Sequence, residues 1–544
     1  MTTIADLLLS RAADDRPGFL HEDGRYSFRE VVEEAKRRAA RFQGLHDPAR
    51  PPHIGVLLDN TPEYLFWLAG AALAGATVVG INSTYRGKPL AQLIEHTDCE
   101  LLVTSSGQAQ LLDGIEAPLA AEHIMLVDSP AYLDSLPSAS RFTDPLRRVS
   151  ESDLYLLVFT SGSTGLPKAV RCTQGRLAQT GAHVAAIAEL SEGDAVYAPL
   201  PLFHAASLFT GWSSTLNAGI PFATRSRFSA SRTVTDIREY GATVLTYTGK
   251  VLNYILAVPE RPDDGAIPLR LAIGNEASEH DIKTFARRFG CAIRDSYGST
   301  EGVIIIRRDA SMPPGALGQA AESVKVLDPE TGDECPRAVF DAQGRVVNLE
   351  AATGEIVETQ PTSGFEGYYN NEAAASERFR GGAYWSGDLA YRDAEGWFFF
   401  AGRSNEWLRV DGENFAAAPV EAILGRQPDV RSVAVYAVPD DPVGDRVMAA
   451  LELRDGATFD PEAFDEFLRT QPDLGPKWTP SFVRVDAELP KLSSMKIDKR
   501  RLRREAWTVA GVMWRPTKGA ALRAMDHDDR ARLDPILRGR AGQG

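Results

Sequence analysis

Cysteine is scarce in this sequence: Cys99, Cys172, Cys291 and Cys335 are the only four in 544 residues. None stands at CxxC spacing, so neither a zinc site nor a disulfide framework is predicted, and a reducing cytoplasm fits the usage. Basic charge is also in short supply. Lys and Arg number 59 against 74 Asp and Glu, a formal net charge of −15. That balance argues against nucleic acid as the main partner, because phosphate contacts demand a clustered basic surface. A small anionic substrate is still admitted, since it feels local charge. Long hydrophobic runs are missing as well. The longest apolar stretch, Phe66 to Ile81, is too short to span a bilayer and carries three glycines. It reads as a buried helix running into a buried strand. Met1 to Asp15 is interrupted by Asp6, Arg11, Asp14 and Asp15, so no secretory signal is expected. The expectation is a cytoplasmic protein without an integral membrane segment, with peripheral membrane association left open and the oligomeric state unread.

A chain of this length exceeds one hydrophobic core and should divide into domains. Over the first four hundred residues helix and strand patterns alternate. Helix Phe28 to Phe42, strand His53 to Leu58 and helix Thr61 to Leu73 come first, with similar pairs through Thr233 to Tyr240, Val244 to Thr248 and Leu269 to Ile273. Such alternation predicts an α/β fold of parallel sheets with flanking helices. Past residue 320 short strands joined by Gly, Asp and Pro turns predict a β-rich subdomain. From about Arg403 a small α+β unit begins, with helix Pro419 to Gln427 and strands Val430 to Val438 and Val447 to Leu453. The predicted division is 1–402, 403–515, and a polar, loosely ordered tail over 516–544.

The most telling stretch is Leu154 to Lys168, LYLLVFTSGSTGLPK. An apolar strand empties into Thr160, Ser161, Gly162, Ser163, Thr164 and Gly165, with Lys168 close behind. Glycines let backbone N–H groups turn toward an anion, hydroxyls add donors, and the lysine adds charge, so this loop is built for polyphosphate. It is not a Walker A loop, which needs glycine where Pro167 stands and Ser or Thr where Ala169 stands. A short strand from Ala169 to Cys172 should follow it, with a helix beginning near Gly175. Four more segments stand downstream: Tyr297-Gly298-Ser299-Thr300-Glu301-Gly302, Trp385-Ser386-Gly387-Asp388, Gly402-Arg403-Ser404-Asn405-Glu406, and Pro490 to Lys496.

In that order and register, the five segments resemble the motifs of the adenylate-forming superfamily, which includes acyl-CoA synthetases, peptide-synthetase adenylation domains and luciferases. The resemblance covers nearly all of the chain. It implies a large N-terminal domain and a small mobile C-terminal one, with ATP, Mg²⁺ and coenzyme A as cofactors and co-substrate. It implies that Thr160 to Gly165 and Lys168 hold the phosphates, that Thr300 donates to the α-phosphate, and that Glu301 ligates Mg²⁺. Tyr297 and Gly298, with Gly274, Asn275 and Glu276 at the end of a buried strand, would border adenine. Asp388 and Arg403 would bond the ribose. His204, paired with Phe203, would border the acyl carboxylate, and Lys496 would steady the adenylation transition state. Asn405 would be the hinge, where Asp or Lys is usual, and Gly412 and Glu413 would guide a thiol along the CoA channel. Met495 replaces the glycine most members carry before the lysine.

Peptide-synthetase domains place an aspartate just after the PLF-like aromatic to hold an α-amino group. His204-Ala205-Ala206 offers no carboxylate there, so an amino-acid substrate is disfavoured. The likeness is to the fatty-acid-transport-protein and very-long-chain acyl-CoA synthetase branch, carried by Phe228 to Arg232, Gly274-Asn275, Trp397 to Gly402 and Trp407 through Asn414. Its soluble bacterial members include ligases for long fatty acids and for steroid side-chain acids. The expected function is an AMP-forming acid–CoA ligase for one of those substrates, acting on small molecules. Two other readings stand beside it: an acyl-AMP ligase serving a carrier protein, and a non-catalytic nucleotide- or lipid-binding relative, which would be expected to lack Lys496 or Glu301.

Overall fold

The structure is a computed structural model that describes residues 2–83, 85, 87–113, 119–143, 149–160, 167–248, 251–308, 311–342, 346–361, 364–403, 407–410, 413–439, 445–471, 474–475, 477–492, 496–517 and 520–541. The chain divides into two compact units, Met1–Ile305 with Pro361–Glu377, and Ile306–Gln360 with Arg378–Gly544.

The first unit carries two mainly parallel sheets. In one, neighbouring strands run Ala292–Gly298, Leu271–Asn275, Val244–Thr248, Val196–Tyr197, Phe222–Ala223, Pro17–His21 and Gly24–Ser27. In the other the order is Ile124–Leu126, Leu101–Thr104, His53–Leu57, Thr77–Gly80, Leu154–Thr160 and Lys168–Thr173. The central strands His53–Leu57 and Thr77–Gly80 are buried throughout, as parallel strands covered on both faces must be. Helix Phe28–Gln43 starts on a capping box made by Ser27 and Glu30. Helix Pro62–Ala74 packs against it and is apolar nearly all round. Its neighbour's Arg38 is buried but ion-paired to Glu34 and Glu63, and the Tyr132 hydroxyl donates to Glu63. The Asn60 side chain ties the two sheets together. Its Nδ2 donates to the Leu200 carbonyl at 2.8 Å, and its Oδ1 accepts from the Leu202 N–H at 2.8 Å.

The strand expected at Leu269 to Ile273 lies two residues later, at Leu271–Asn275. Gly274 and Asn275 are therefore inside the ladder, and the chain turns at Glu276. The helix expected at Pro419 to Gln427 is Ala417–Leu424.

The second unit holds an antiparallel sheet built on Gly354–Glu358, Ala383–Arg392 and Phe398–Arg403. A second, mixed sheet is built on Val430–Pro439, Asp445–Leu453 and Phe482–Asp486. The boundary predicted between 402 and 403 falls inside this unit, because strand Phe398–Arg403 packs on helix Ala417–Leu424. The tail is not loose over its described residues. Arg523–Ala524 pairs with Met513–Trp514, and helix His527–Ala541 follows. Leu533 is buried in a cluster with Phe482, Trp507 and Trp514. Apolar residues spaced among the charges were enough to dock this segment on Trp507 and Trp514, which are fully buried. Leu533→Ala should cost about 2–5 kcal/mol of the second unit's stability, read as an earlier denaturation midpoint with a red shift in tryptophan emission. An unchanged midpoint would mean the helix does not hold that cluster.

Candidate active site

Parallel register sets one edge of the site. Thr248, Asn275 and Ser296 are successive partners across three strands, so the carboxyl ends of the first two stand level beside the third, which runs on to Gly298. Open α/β sheets bind ligands at that edge. Gly274 allows the strands to close there: a Cβ on it would lie 2.1 Å from the Tyr247 carbonyl oxygen. Asp295 is buried, and its Oδ2 accepts from the Tyr247 hydroxyl at 2.8 Å and the Ala277 N–H at 3.1 Å. That carboxylate holds the turn in which Glu276 takes a left-handed φ of 64°, a strained state for a non-glycine residue. The Asn275 Oδ1 beside it is buried with no hydrogen-bond partner among the described residues.

A hairpin supplies the second edge. Thr160 and Lys168 are direct partners where strands Leu154–Thr160 and Lys168–Thr173 part, so the loop between them begins and ends at one point. Ser161, Gly162, Ser163, Thr164 and Gly165 lie outside the described residues. Lys168 is buried, with its ammonium 5.2 Å from the centre of the Tyr368 ring and 3.9 Å from the exposed Glu377 carboxylate. An ion pair that exposed contributes little.

Tyr368 was not singled out by its sequence, and it proves central. It forms an antiparallel bridge with Val170, flanked by Arg171 N–H to Gly367 O at 3.1 Å and Tyr369 N–H to Ala169 O at 2.8 Å. Glu366 accepts from the Thr173 N–H at 2.8 Å and hydroxyl at 2.7 Å. The Tyr368 hydroxyl donates to Glu301 Oε1 at 2.8 Å. Arg176 fixes the neighbouring residue, donating to the Thr300 carbonyl at 2.6 Å and to the Arg171 carbonyl at 2.8 Å. Thr160, Lys168, Thr300 and Glu301 are thereby joined in one network. Tyr297 and Gly298 end strand Ala292–Gly298, the tyrosine partly exposed and the glycine exposed.

His204 lies against Phe203 with ring centres 4.6 Å apart, and its Nε2 is shielded from solvent. A seven-residue π-helix, Ala206–Trp212, follows directly, a form that concentrates at functional sites.

The second unit carries the other predicted groups. Asp388 pairs with Arg403 across strands Ala383–Arg392 and Phe398–Arg403. Its approach is held by Glu355, whose Oε1 accepts the Gly387 N–H at 2.5 Å and whose Oε2 faces Arg380 at 3.3 Å. Burial pushes the Glu355 carboxyl above its ordinary value, and the Gly387 N–H and Arg380 pull the other way. Lys496 is partly exposed at the base of a small loop closed by the Lys491–Ile497 bridge and by the Leu492 N–H to Lys496 O bond at 2.8 Å. Asn405 and Gly412 lie outside the described residues, as do the side chains of Arg403 and Glu413. Glu413 itself begins strand Glu413–Ala416 opposite Val410.

Among the described residues no group of three or more His, Cys, Asp and Glu is arranged to hold a metal alone. A site for Mg²⁺ beside nucleotide phosphates needs only one or two carboxylates, and Glu301, with one oxygen taken by Tyr368, fits that donor set.

Known proteins are similar to this chain over nearly its whole length. The family model described as AMP-binding enzyme matches residues 9–369, and that of the AMP-binding enzyme C-terminal domain matches residues 419–496. The chain is 45% identical over 513 residues to the medium/long-chain-fatty-acid–CoA ligase FadD17 of Mycobacterium tuberculosis, covering 94% of this chain and 98% of that protein. It is 46% identical over 511 residues to the steroid-22-oyl-CoA synthetase of Rhodococcus jostii, covering 93% and 91%. In fold it is similar to the anthranilate CoA ligase AuaEII bound to anthranoyl-AMP, with a TM-score of 0.78, 20% identity, and coverage of 92% and 96%.

Because a backbone carbonyl blocks any side chain at position 274, Gly274→Ala should cost about 3 kcal/mol or more and part the strand ends. Chemical denaturation of the variant measures this. Wild-type stability would show that the strands do not need this close approach.

Proposed function

The chain belongs to the AMP-binding enzyme family, and from that premise we propose that it joins a carboxylic acid to coenzyme A in two steps. In the first, the acid's carboxylate attacks the α-phosphorus of ATP, forming an acyl-adenylate and releasing pyrophosphate. In the second, the CoA thiol attacks the acyl carbon, its proton is lost, and AMP departs as the thioester forms. A carboxylate is a poor electrophile, and the mixed anhydride makes its carbon attackable. The substrate is an apolar acid, either a long fatty acid or a steroid side-chain acid. The observation that carries this reading is likeness over nearly the whole chain to two acid–CoA ligases, with all five motifs in register.

The residues take complementary parts. The 160–165 loop and Lys168 cradle phosphates, while Thr300 donates to the α-phosphate. Two negative charges must approach in the first step, so fixed positive charge aimed at the transition state lowers the barrier. Lys496 supplies it. Mg²⁺ held by Glu301 and phosphate oxygens would neutralise further charge. Asp388 and Arg403 hold the ribose, Asn275 and Tyr297 border adenine, and His204 borders the acyl carboxylate. Glu413 and Gly412 line the approach of the thiol, and Asn405 serves as the hinge.

Mass spectrometry of purified protein with ATP, Mg²⁺, CoA and a panel of acids tests the reading. The panel spans medium to very long fatty acids and steroid acids with intact and shortened side chains. Acyl-CoA with AMP is expected, and the acid consumed names the substrate class. Acyl-adenylate without thioester would instead indicate delivery to a carrier protein. Lys496→Ala should abolish adenylate formation and leave thioester formation from supplied acyl-adenylate near the wild-type rate. Adenylate made at the wild-type rate by that variant would remove the lysine from the first step.

A further inference from the structure

We propose that Tyr368 is a positioning residue for adenylation, setting Glu301 with its hydroxyl and Lys168 with its ring. The inference rests on the adenylating reading of this site. Glu301 and Lys168 come from segments more than a hundred residues apart, and both must face one triphosphate. Either could swing: a lysine has four rotatable bonds and a glutamate three. Tyr368 touches both, with its hydroxyl 2.8 Å from Glu301 Oε1 and its ring centre 5.2 Å from the Lys168 ammonium.

The tyrosine is itself held firmly. It bridges Val170 and is buried with Val170 and Ala374, against Phe365. Glu366 anchors the preceding turn on Thr173. Gly364, with φ of 112°, lets the segment pass so close to the Thr300–Gly302 turn that a Cβ there would lie 2.8 Å from the Gly302 carbonyl oxygen. These contacts leave the phenol little freedom.

The chemistry of the two contacts differs and suits each partner. A hydroxyl donating to one carboxylate oxygen keeps that oxygen as an acceptor and leaves the second to face a hard cation. An aromatic face attracts an ammonium without neutralising it, so Lys168 keeps its charge for phosphate.

Calorimetric titration with ATP in Mg²⁺ and with ATP in EDTA yields, for each protein, a ratio of the two affinities. Glu301→Gln should bring that ratio toward one. Tyr368→Phe removes one oxygen and retains the ring's packing. It should lower the ratio about tenfold, the size of a charge-assisted hydrogen bond, with unchanged affinity for metal-free ATP. Tyr368→Leu should also weaken metal-free ATP binding, because Lys168 loses its support. In the Glu301→Gln background, Tyr368→Phe should have no further effect on the ratio. Thioester formation from supplied acyl-adenylate should stay at the wild-type rate in Tyr368→Phe, which a general loss of structure would not permit. A wild-type ratio in Tyr368→Phe, additive losses in the double variant, or equal losses in both half-reactions would each overturn the proposal. A wild-type ratio in Glu301→Gln would instead sink the metal role of Glu301, and this inference with it, so the two failures are told apart.

Discussion

The hydrogen-bond register of three parallel strands is the constraint on which the candidate site depends. Thr248, Asn275 and Ser296 stand side by side, and slipping any one strand by a residue would turn its side chains to the opposite face. Gly274 lets the backbone close, and the buried Asp295 carboxylate accepts from the flanking strand and from the turn beyond the middle one. A buried carboxylate is costly unless its lone pairs are used. Here they are used to lock the strand ends from which the Glu276 turn and the Tyr297–Gly302 segment emerge.

A distant segment returns to the first unit. Within Pro361–Glu377, residues Gly367–Tyr369 lie along strand Lys168–Thr173. This return brings Glu366 to Thr173 and Tyr368 to Lys168 and Glu301. Its backbone bonds to Ala169 and Arg171 extend the hairpin's edge, so the functional contacts rest on ladder geometry and not on side-chain packing alone. Arg176 adds a third tie, crossing from the helix after the hairpin to the Thr300 carbonyl.

In the second unit a comparable device holds a single turn. Glu355 captures the Gly387 N–H and is faced by Arg380, whose guanidinium also lies 4.0 Å from the centre of the Trp385 ring. The backbone leading into Asp388 is thus held from the neighbouring strand. In both units the residues that would touch nucleotide are supported by buried polar groups whose own hydrogen bonds are satisfied, which limits their motion before any ligand arrives.

The sequence alone determined the class of fold, the order of the chemistry-bearing motifs and most of the elements that carry them. Hydrophobic alternation and turn residues are local properties, so helix Phe28–Gln43, the strand before the Thr160–Gly165 loop and the short strand after it were legible, while their antiparallel pairing was not. Donor-rich loop chemistry drew attention to Lys168, while Thr300, Glu301, Asp388 and Lys496 were candidates through the resemblance of their motifs to a known superfamily. The order of the tail's described residues was not legible: a polar segment docks through a few apolar residues whose partners, Trp507 and Trp514, are named by packing. Nor were Tyr368, Asp295 and Glu355, whose importance lies in contacts across 67, 48 and 32 residues of chain. Tertiary structure decided those, since a tyrosine or a carboxylate acquires its task only when folding brings it a partner and removes water from between them.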